Sequence, residues 1–345
     1  MKRLVLCNND SLAGNMKKAG YAKCVINVMK ESNSSGFSLF GPALSSEQVR
    51  QYFTTWILRN RPDFVIIGGF DVISEKYYTK SEELGDYINH FDVVECWFDT
   101  NIRGQISLVN FIVYLSHYPY ALEKIVYVDL KRISSGIDFL VNPQDIVSKW
   151  TLQNKHIASA NRFWGAFMCD TPVRFASLNK NDLSALPFLY PVAQKMLAEL
   201  PAHDTGLTAT QTCLIRQANK PNATWSSVTN DAFCELGGPS FGINDIEVAL
   251  EYLGSCTLPV VAGVKPDPIG MFPHQGESFP YDAYESHRNS PVHLTEFGEK
   301  LVANQADMAA NNPIHQWWGN TEITNNSLWR WNSIAQILTF NSAVT

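Results

Sequence analysis

The residues best placed to do chemistry follow the first apolar run of the chain. Cys7-Asn8-Asn9-Asp10-Ser11 joins the run Arg3–Cys7 to a helical pattern over Ser11–Ala19. In an open α/β sheet, ligands sit outside the carboxyl ends of the strands. A turn there that opens a helix also leaves free N–H groups facing an anion. Asn9 tolerates a left-handed backbone, and Asp10 or Ser11 can cap the helix or bind a ligand hydroxyl. The residue types allow both roles.

A second set lies further on. Glu95, Trp97 and Asp99 fall at the carboxyl end of a strand expected over Val93–Phe98, and period two puts all three on one face. Two carboxylates there could bind a metal or act as acid and base, or simply be solvated strand ends. Arg50, on a helix expected over Gln48–Leu58, could pair with an anionic ligand, and Gln105 opens the helix expected over Ile102–Tyr114. The candidate catalytic residues are therefore Asp10, Glu95 and Asp99. The candidate ligand-binding residues are Asn8, Asn9, Asp10, Ser11, Arg50, Trp97 and Gln105.

Other chemistries lack their signatures. His274, His287 and His293 share an acidic, proline-rich stretch with Glu277, Asp282 and Glu285, yet no metal-binding spacing is present, and no metal is expected. Neither GxGxxG nor GxxxxGK[ST] occurs, and no serine sits in a GxSxG elbow. No cofactor is identified. Cys7 ends a strand near a helix N-terminus, where a thiol can be activated, but a packed thiol is the simpler reading.

The elements that would position these residues alternate. Candidate strands are Arg3–Cys7, Cys24–Val28, Phe64–Ile67, Val93–Phe98 and Ile125–Asp129, with helices expected over Ser11–Ala19, Gln48–Leu58, Ser81–His90 and Ile102–Tyr114. Such alternation predicts an α/β domain over 1–150, with a mainly parallel sheet and flanking helices. From Asp145 to Leu200 the pattern reads as helical, giving a connector over 151–204. Pro187 and Pro191 preclude one unbroken helix over Ser184–Leu200. Residues 205–345 read as a mainly helical domain with a small winged-helix-like β-hairpin. Thr208-x-x-Gln211 has capping-box spacing there, Phe241–Leu253 is a further helix, and Thr295 caps a short one. Two aromatic-rich strands, joined at Asn325-Asn326, are expected to close the domain.

Composition narrows the class. The 345 residues are 45% hydrophobic and 17% charged, with a net charge of −6, which suits a packed globular chain and disfavours a nucleic-acid binder. From Gly206 onward six Lys/Arg face thirteen Asp/Glu, so the C-terminal part, at −7, would repel phosphate. No run of about 18 apolar residues exists, so no membrane span is expected. The apolar part of the opening, Leu4–Cys7, is too short for a signal peptide. Seven scattered cysteines without CxxC are expected to be reduced thiols in a cytoplasmic protein.

The chain resembles bacterial proteins of the family termed domain of unknown function 1835, whose first domain carries an H-x-x-N-G-D-S-type turn. The resemblance rests on the opening turn, Gly41-Pro42 with Arg50, and Glu95-x-Trp97 with Gln105. It continues through Leu186-Pro-Phe-Leu-Tyr-Pro-Val-Ala, Leu200-Pro201, Gly206-Leu207-Thr208, Leu294-Thr295-Glu296-Phe297-Gly298, Trp318-Gly319 and Trp329-Arg330-Trp331. The match spans nearly the whole chain in two parts, the second being the companion domain of unknown function that often follows. This chain departs from the pattern at Val5, where the family has His, and at Asn9, where it has Gly. The resemblance implies architecture and a bacterial cytoplasmic setting rather than an activity. Together the readings lead to a small anionic or nucleotide-like ligand at the first strand-to-helix turn, bound by a transferase or hydrolase. The alternative is a non-catalytic protein acting through the winged-helix-like domain, as a homodimer or with a protein partner.

Overall fold

The computed structural model describes residues 2–8, 10–27, 37–38, 84–130, 146–236, 243–264 and 281–342. The chain divides into two compact units, one formed by residues 1–36, 43–169 and 177–192, the other by 37–42, 170–176 and 193–345. No described helix is long and apolar enough to cross a membrane.

The first unit is built on a five-stranded sheet. Its strands are β1 (Arg3–Cys7), β2 (Cys24–Asn27), β4 (Val93–Trp97), β5 (Ile125–Leu130) and β6 (Ile146–Thr151), in the order β2-β1-β4-β5-β6. A short strand, β3 (Phe37–Ser38), belongs to the second unit. The pairs β1–β2, β1–β4 and β4–β5 are parallel, and β6 runs antiparallel to β5. Leu4, Val5, Leu6 and Cys7 are fully buried, as expected of a parallel strand covered on both faces. Helix α1 (Asp10–Lys18) covers one face through Leu12, Ala13 and Met16, which pack with Val5, Cys7, Val25, Trp97 and Val128.

The short helix α2 (Leu84–Tyr87) precedes β4, and α3 (Ile102–Leu115) follows it. Nearly every residue of α3 is buried, and it packs on α5 (Asn154–Phe167), which follows the short α4 (Pro119–Leu122). From β1 the chain moves outward to β2, and from β4 it moves the opposite way to β5. The boundary between β1 and β4 is thus the topological switch point, where open α/β sheets form their ligand crevice.

Residues 145–200 are not wholly helical, because Ile146–Thr151 is the edge strand β6. Trp150 is tilted against Tyr127 (4.6 Å between ring centroids), and its neighbour Lys149 points to the opposite face. The predicted helix over Gln48–Leu58, the strand over Phe64–Ile67 and residues 81–83 of Ser81–His90 lie outside the described residues.

After α6 (Val173–Ala176), α7 (Leu189–Leu197) begins in the first unit and ends in the second, and it carries Pro191 in its first turn, where its missing N–H costs nothing. Helices α8 (Ala209–Ala218), α9 (Trp225–Glu235) and α10 (Ile243–Ser255) pack on one another. The Thr208–Gln211 capping box forms at the start of α8. Strand β7 (Val261–Ala262) pairs with β8 (His293–Leu294), with α11 (Tyr281–Arg288) between them in sequence. Thr295 caps α12 (Glu296–Val302), and Asp307 caps α13 (Met308–Asn311).

The chain closes in two hairpins rather than the single strand pair expected. β9 (His315–Trp318) turns at Gly319-Asn320 into β10 (Thr321–Thr324), with Gly319 at φ 59° as a two-residue turn requires, and β3 pairs with β9. β11 (Ser327–Asn332) pairs with β12 (Ile337–Ser342). Asn325 lies between the hairpins, where its amide binds Ile314 N, Ala309 O and Asn312 O. The aromatic strands therefore do not pair with each other, and each has its own plainer partner.

Candidate functional site

β1 and β4 last pair in register at Cys7 and Trp97. One step beyond, side chains take over from the backbone ladder. Asn8, only 3% exposed, donates from Nδ2 to Asp99 Oδ2 (3.2 Å) and accepts at Oδ1 from the Asp99 N–H (3.2 Å). Gln105, in the first turn of α3, donates to the Asp99 carbonyl (2.8 Å). The helix is started by Asn101, whose side chain accepts from the Gly104 N–H (2.8 Å). Gly104 has to be glycine, because a Cβ there would overlap the Asp99 carbonyl and Cβ. The main chain of Asp99 is thus fixed on both sides, and so is one carboxylate oxygen.

The other oxygen is not. Asp99 Oδ1 is buried and has no hydrogen-bond partner among the described residues. Burial pushes the Asp99 carboxyl up to about 6, against the pull of the Asn8 and Asn101 side chains and the Arg103 charge. A buried carboxylate with an unfilled acceptor is costly to keep, and groups of this kind collect at functional sites.

Glu95 is equally buried and differently surrounded. Its Oε2 accepts from the Tyr21 hydroxyl (2.8 Å) and the Trp97 indole N–H (3.1 Å), and its Oε1 accepts from Lys149 Nζ (2.8 Å). Arg3 Nε lies 3.6 Å from Oε1, and Lys149 also reaches the Tyr21 hydroxyl (3.1 Å). Burial alone would raise the Glu95 pKa, but the hydrogen bonds from Lys149, Tyr21 and Trp97 outweigh it and hold the carboxyl below its ordinary value. The same burial raises the Tyr21 hydroxyl. Tyr21 packs edge-on against Trp97, 5.2 Å between centroids. This cluster ties β1, β4 and β6 together, and every oxygen of Glu95 is engaged in it.

The candidates thus separate into two groups. Asn8, Asp99 and Gln105 converge, while Glu95 and Trp97 belong to the ion-pair cluster. Period two relates Glu95 to Trp97, but β4 stops there and Asp99 lies past its end. Asp10 and Ser11 are the first residues of α1, so the positive end of this helix follows this end of β1. Asn9 and Arg50 lie outside the described residues, as do His274 and Glu277. Val5 is packed in the apolar cluster under α1. Among the described residues no three His, Cys, Asp or Glu side chains converge as metal ligands. His287 is buried against Trp225, and His293 is exposed on β8.

Sequence reasoning missed Tyr21, Lys149, Arg3 and Asn101. Asn101 was findable, as a capping residue directly before the apolar pattern of α3. Lys149 was hidden by the helical reading of β6. The chain matches no protein-family model and no curated protein.

Proposed function

We propose that the chain binds a small hydroxylated ligand with an anionic group, of the nucleotide or sugar-phosphate kind, in the crevice beyond β1 and β4. The observation that carries this is Asp99 Oδ1, buried without a partner among the described residues at the topological switch point. A ligand hydroxyl supplies the missing donor, and the positive N-terminal end of α1 attracts the anion. A carboxyl titrating near 6 also exchanges protons near neutrality, so Asp99 suits the general base of a transferase or hydrolase. Membership of the 1835 family and a bacterial cytoplasmic setting are part of this proposal, resting on the residues quoted for the resemblance.

Isothermal titration with a panel of nucleotides and sugar phosphates tests it. Wild type is expected to bind a member of the panel, and Asp99→Asn to bind it at least about tenfold more weakly, the usual scale for losing a charge-assisted hydrogen bond. No binding by wild type, or equal binding by both, overturns the reading.

One observation favours a second reading for residues 205–345. Three mutually packed helices, α8, α9 and α10, lead directly into β7, which pairs with β8 after a long excursion. That is the order of a winged helix. The helix in the recognition place, α10, carries Asp245, Glu247 and Glu251 and no Lys or Arg. Such a surface repels phosphate and suits a protein partner. A low-salt gel shift with random duplex DNA is expected to show no complex, and salt-sensitive binding would refute this assignment.

A further inference from the structure

We infer that β12 pairs with β12 of a second copy of this chain, joining two β11–β12 hairpins into one four-stranded antiparallel sheet about a twofold axis. The two edges of the hairpin are treated differently. The outer edge of β11 is taken, since Trp331 N donates to Pro201 O (2.9 Å) and His203 N donates to Trp331 O (3.3 Å). The outer edge of β12 has no partner strand among the described residues, where, besides β11, the short helix α6 approaches β12. An open edge is a template for another strand, and proteins usually blunt it with lysine, proline or a bulge. Ser333–Ser342 contains no charged residue and no proline, and β12 follows β11 through six consecutive pairs.

The open edge also lies beside apolar surface. Ile334 is 98% exposed, Ile337 54% and Phe340 48%, with Phe340 tilted against Trp329 at 4.6 Å between centroids. The hairpin is held in shape for this. Asn332 Oδ1 accepts from the Ile334 and Ala335 N–H groups (3.1 and 2.9 Å), closing the turn that presents Ile334.

Charge selects the occupant. A twofold contact brings each charge toward its own copy, and the chain from Gly206 onward carries −7. Faces that hold those acids repel their twins, whereas β12 and its turn hold none. The one charge in either strand, Arg330, is buried and neutralised by a two-pronged pair with Asp307 (2.6 and 2.9 Å). A strand related to itself by a perpendicular twofold axis necessarily runs antiparallel, so backbone pairing and apolar burial are served by one symmetry.

The test compares wild type with Ile337→Lys/Phe340→Lys by light scattering across a wide concentration range, with circular dichroism to show that the variant is folded. Wild type is expected to be a dimer at high concentration and the variant a monomer, because the variant puts four cations in one interface. Wild type monomeric throughout, or the variant as dimeric as wild type, overturns the inference. Hydrogen exchange on wild type needs no variant: β12 amide protection is expected to fall as dilution dissociates the dimer, and unchanged protection overturns it. If wild type stays monomeric and the edge instead takes up an extended peptide, the occupant is a foreign strand and the self-pairing is wrong.

Discussion

Two carboxylates at the end of β4, Glu95 and Asp99, are each 3% exposed, yet the chain handles them differently. Around Glu95, a tyrosine hydroxyl, an indole N–H and a lysine fill the acceptor sites, with an arginine close by, and the carboxyl is held in its charged form. Around Asp99, the protein fixes the main chain from both sides and fills one oxygen, the other has no partner among the described residues, and burial raises the carboxyl. Burial alone does not mark a functional acid, since both acids are buried. What separates them is whether the acceptor sites are satisfied. A satisfied buried carboxylate is a fastening, and an unsatisfied one held in a fixed position is a cost that a ligand can offset.

If that contrast is right, removing Glu95 has the larger effect on stability. Glu95→Ala leaves the Tyr21 hydroxyl and the Trp97 N–H without their acceptor and sets two cations beside each other. Breaking a buried pair costs about 3–5 kcal/mol. Lys149 and Arg3 are 37% and 32% exposed and can turn toward water, so a loss of about 2–3 kcal/mol is expected. The midpoint of urea unfolding measures it. A loss below about 1 kcal/mol, the value of an ordinary exposed pair, would show that the cluster holds little together.

The sequence disclosed these two acids unequally. Asp99 could be placed near the first turn because both follow short apolar strands, and strand ends in an alternating α/β pattern gather at one edge of a sheet. The partners that decide the state of Glu95 were out of reach, since Tyr21 and Lys149 lie 74 and 54 residues away along the chain. Local pattern carried β1, β4, α3 and the Thr208 and Thr295 caps, whose signals lie within a few residues. It failed at β6, six residues embedded in a helical neighbourhood, and at β12, whose Ile-Leu-Thr-Phe run lacks the tryptophans that drew attention to β9 and β11. At β6 the missing information was its pairing with β5, whereas β12 pairs with the adjacent β11 and its plain run simply carried too weak a local signal.

The second prediction concerns Asp99 and has the opposite sign. Its carboxyl titrates at about 6 in the folded chain, above the ordinary 3.8, so the folded state holds the proton more tightly than the unfolded state does. The stabilising contribution of the protonated form is complete below about pH 3.8 and is lost as the pH rises through about 6. Above that, the folded protein carries the full cost of a buried, half-satisfied charge. Asp99→Asn removes the charge, and an amide can still receive the bond from Asn8. At pH 8 the variant is therefore expected to be more stable than wild type by about 1–3 kcal/mol, on the scale of 1.36 kcal/mol per pKa unit. The gain should shrink as the pH falls through 6 and be absent near pH 4. Glu199 provides an internal control, because burial raises it to about 7 at the start of α8, in the second unit. Its pH dependence should persist unchanged in Asp99→Asn, so the difference between the two stability curves isolates the crevice. A variant less stable than wild type at pH 8 would mean that Asp99 is paired in solution and is a fastening like Glu95. A more stable variant that has also lost the ligand would show the exchange expected of a binding site, in which stability is given up to keep an acceptor open.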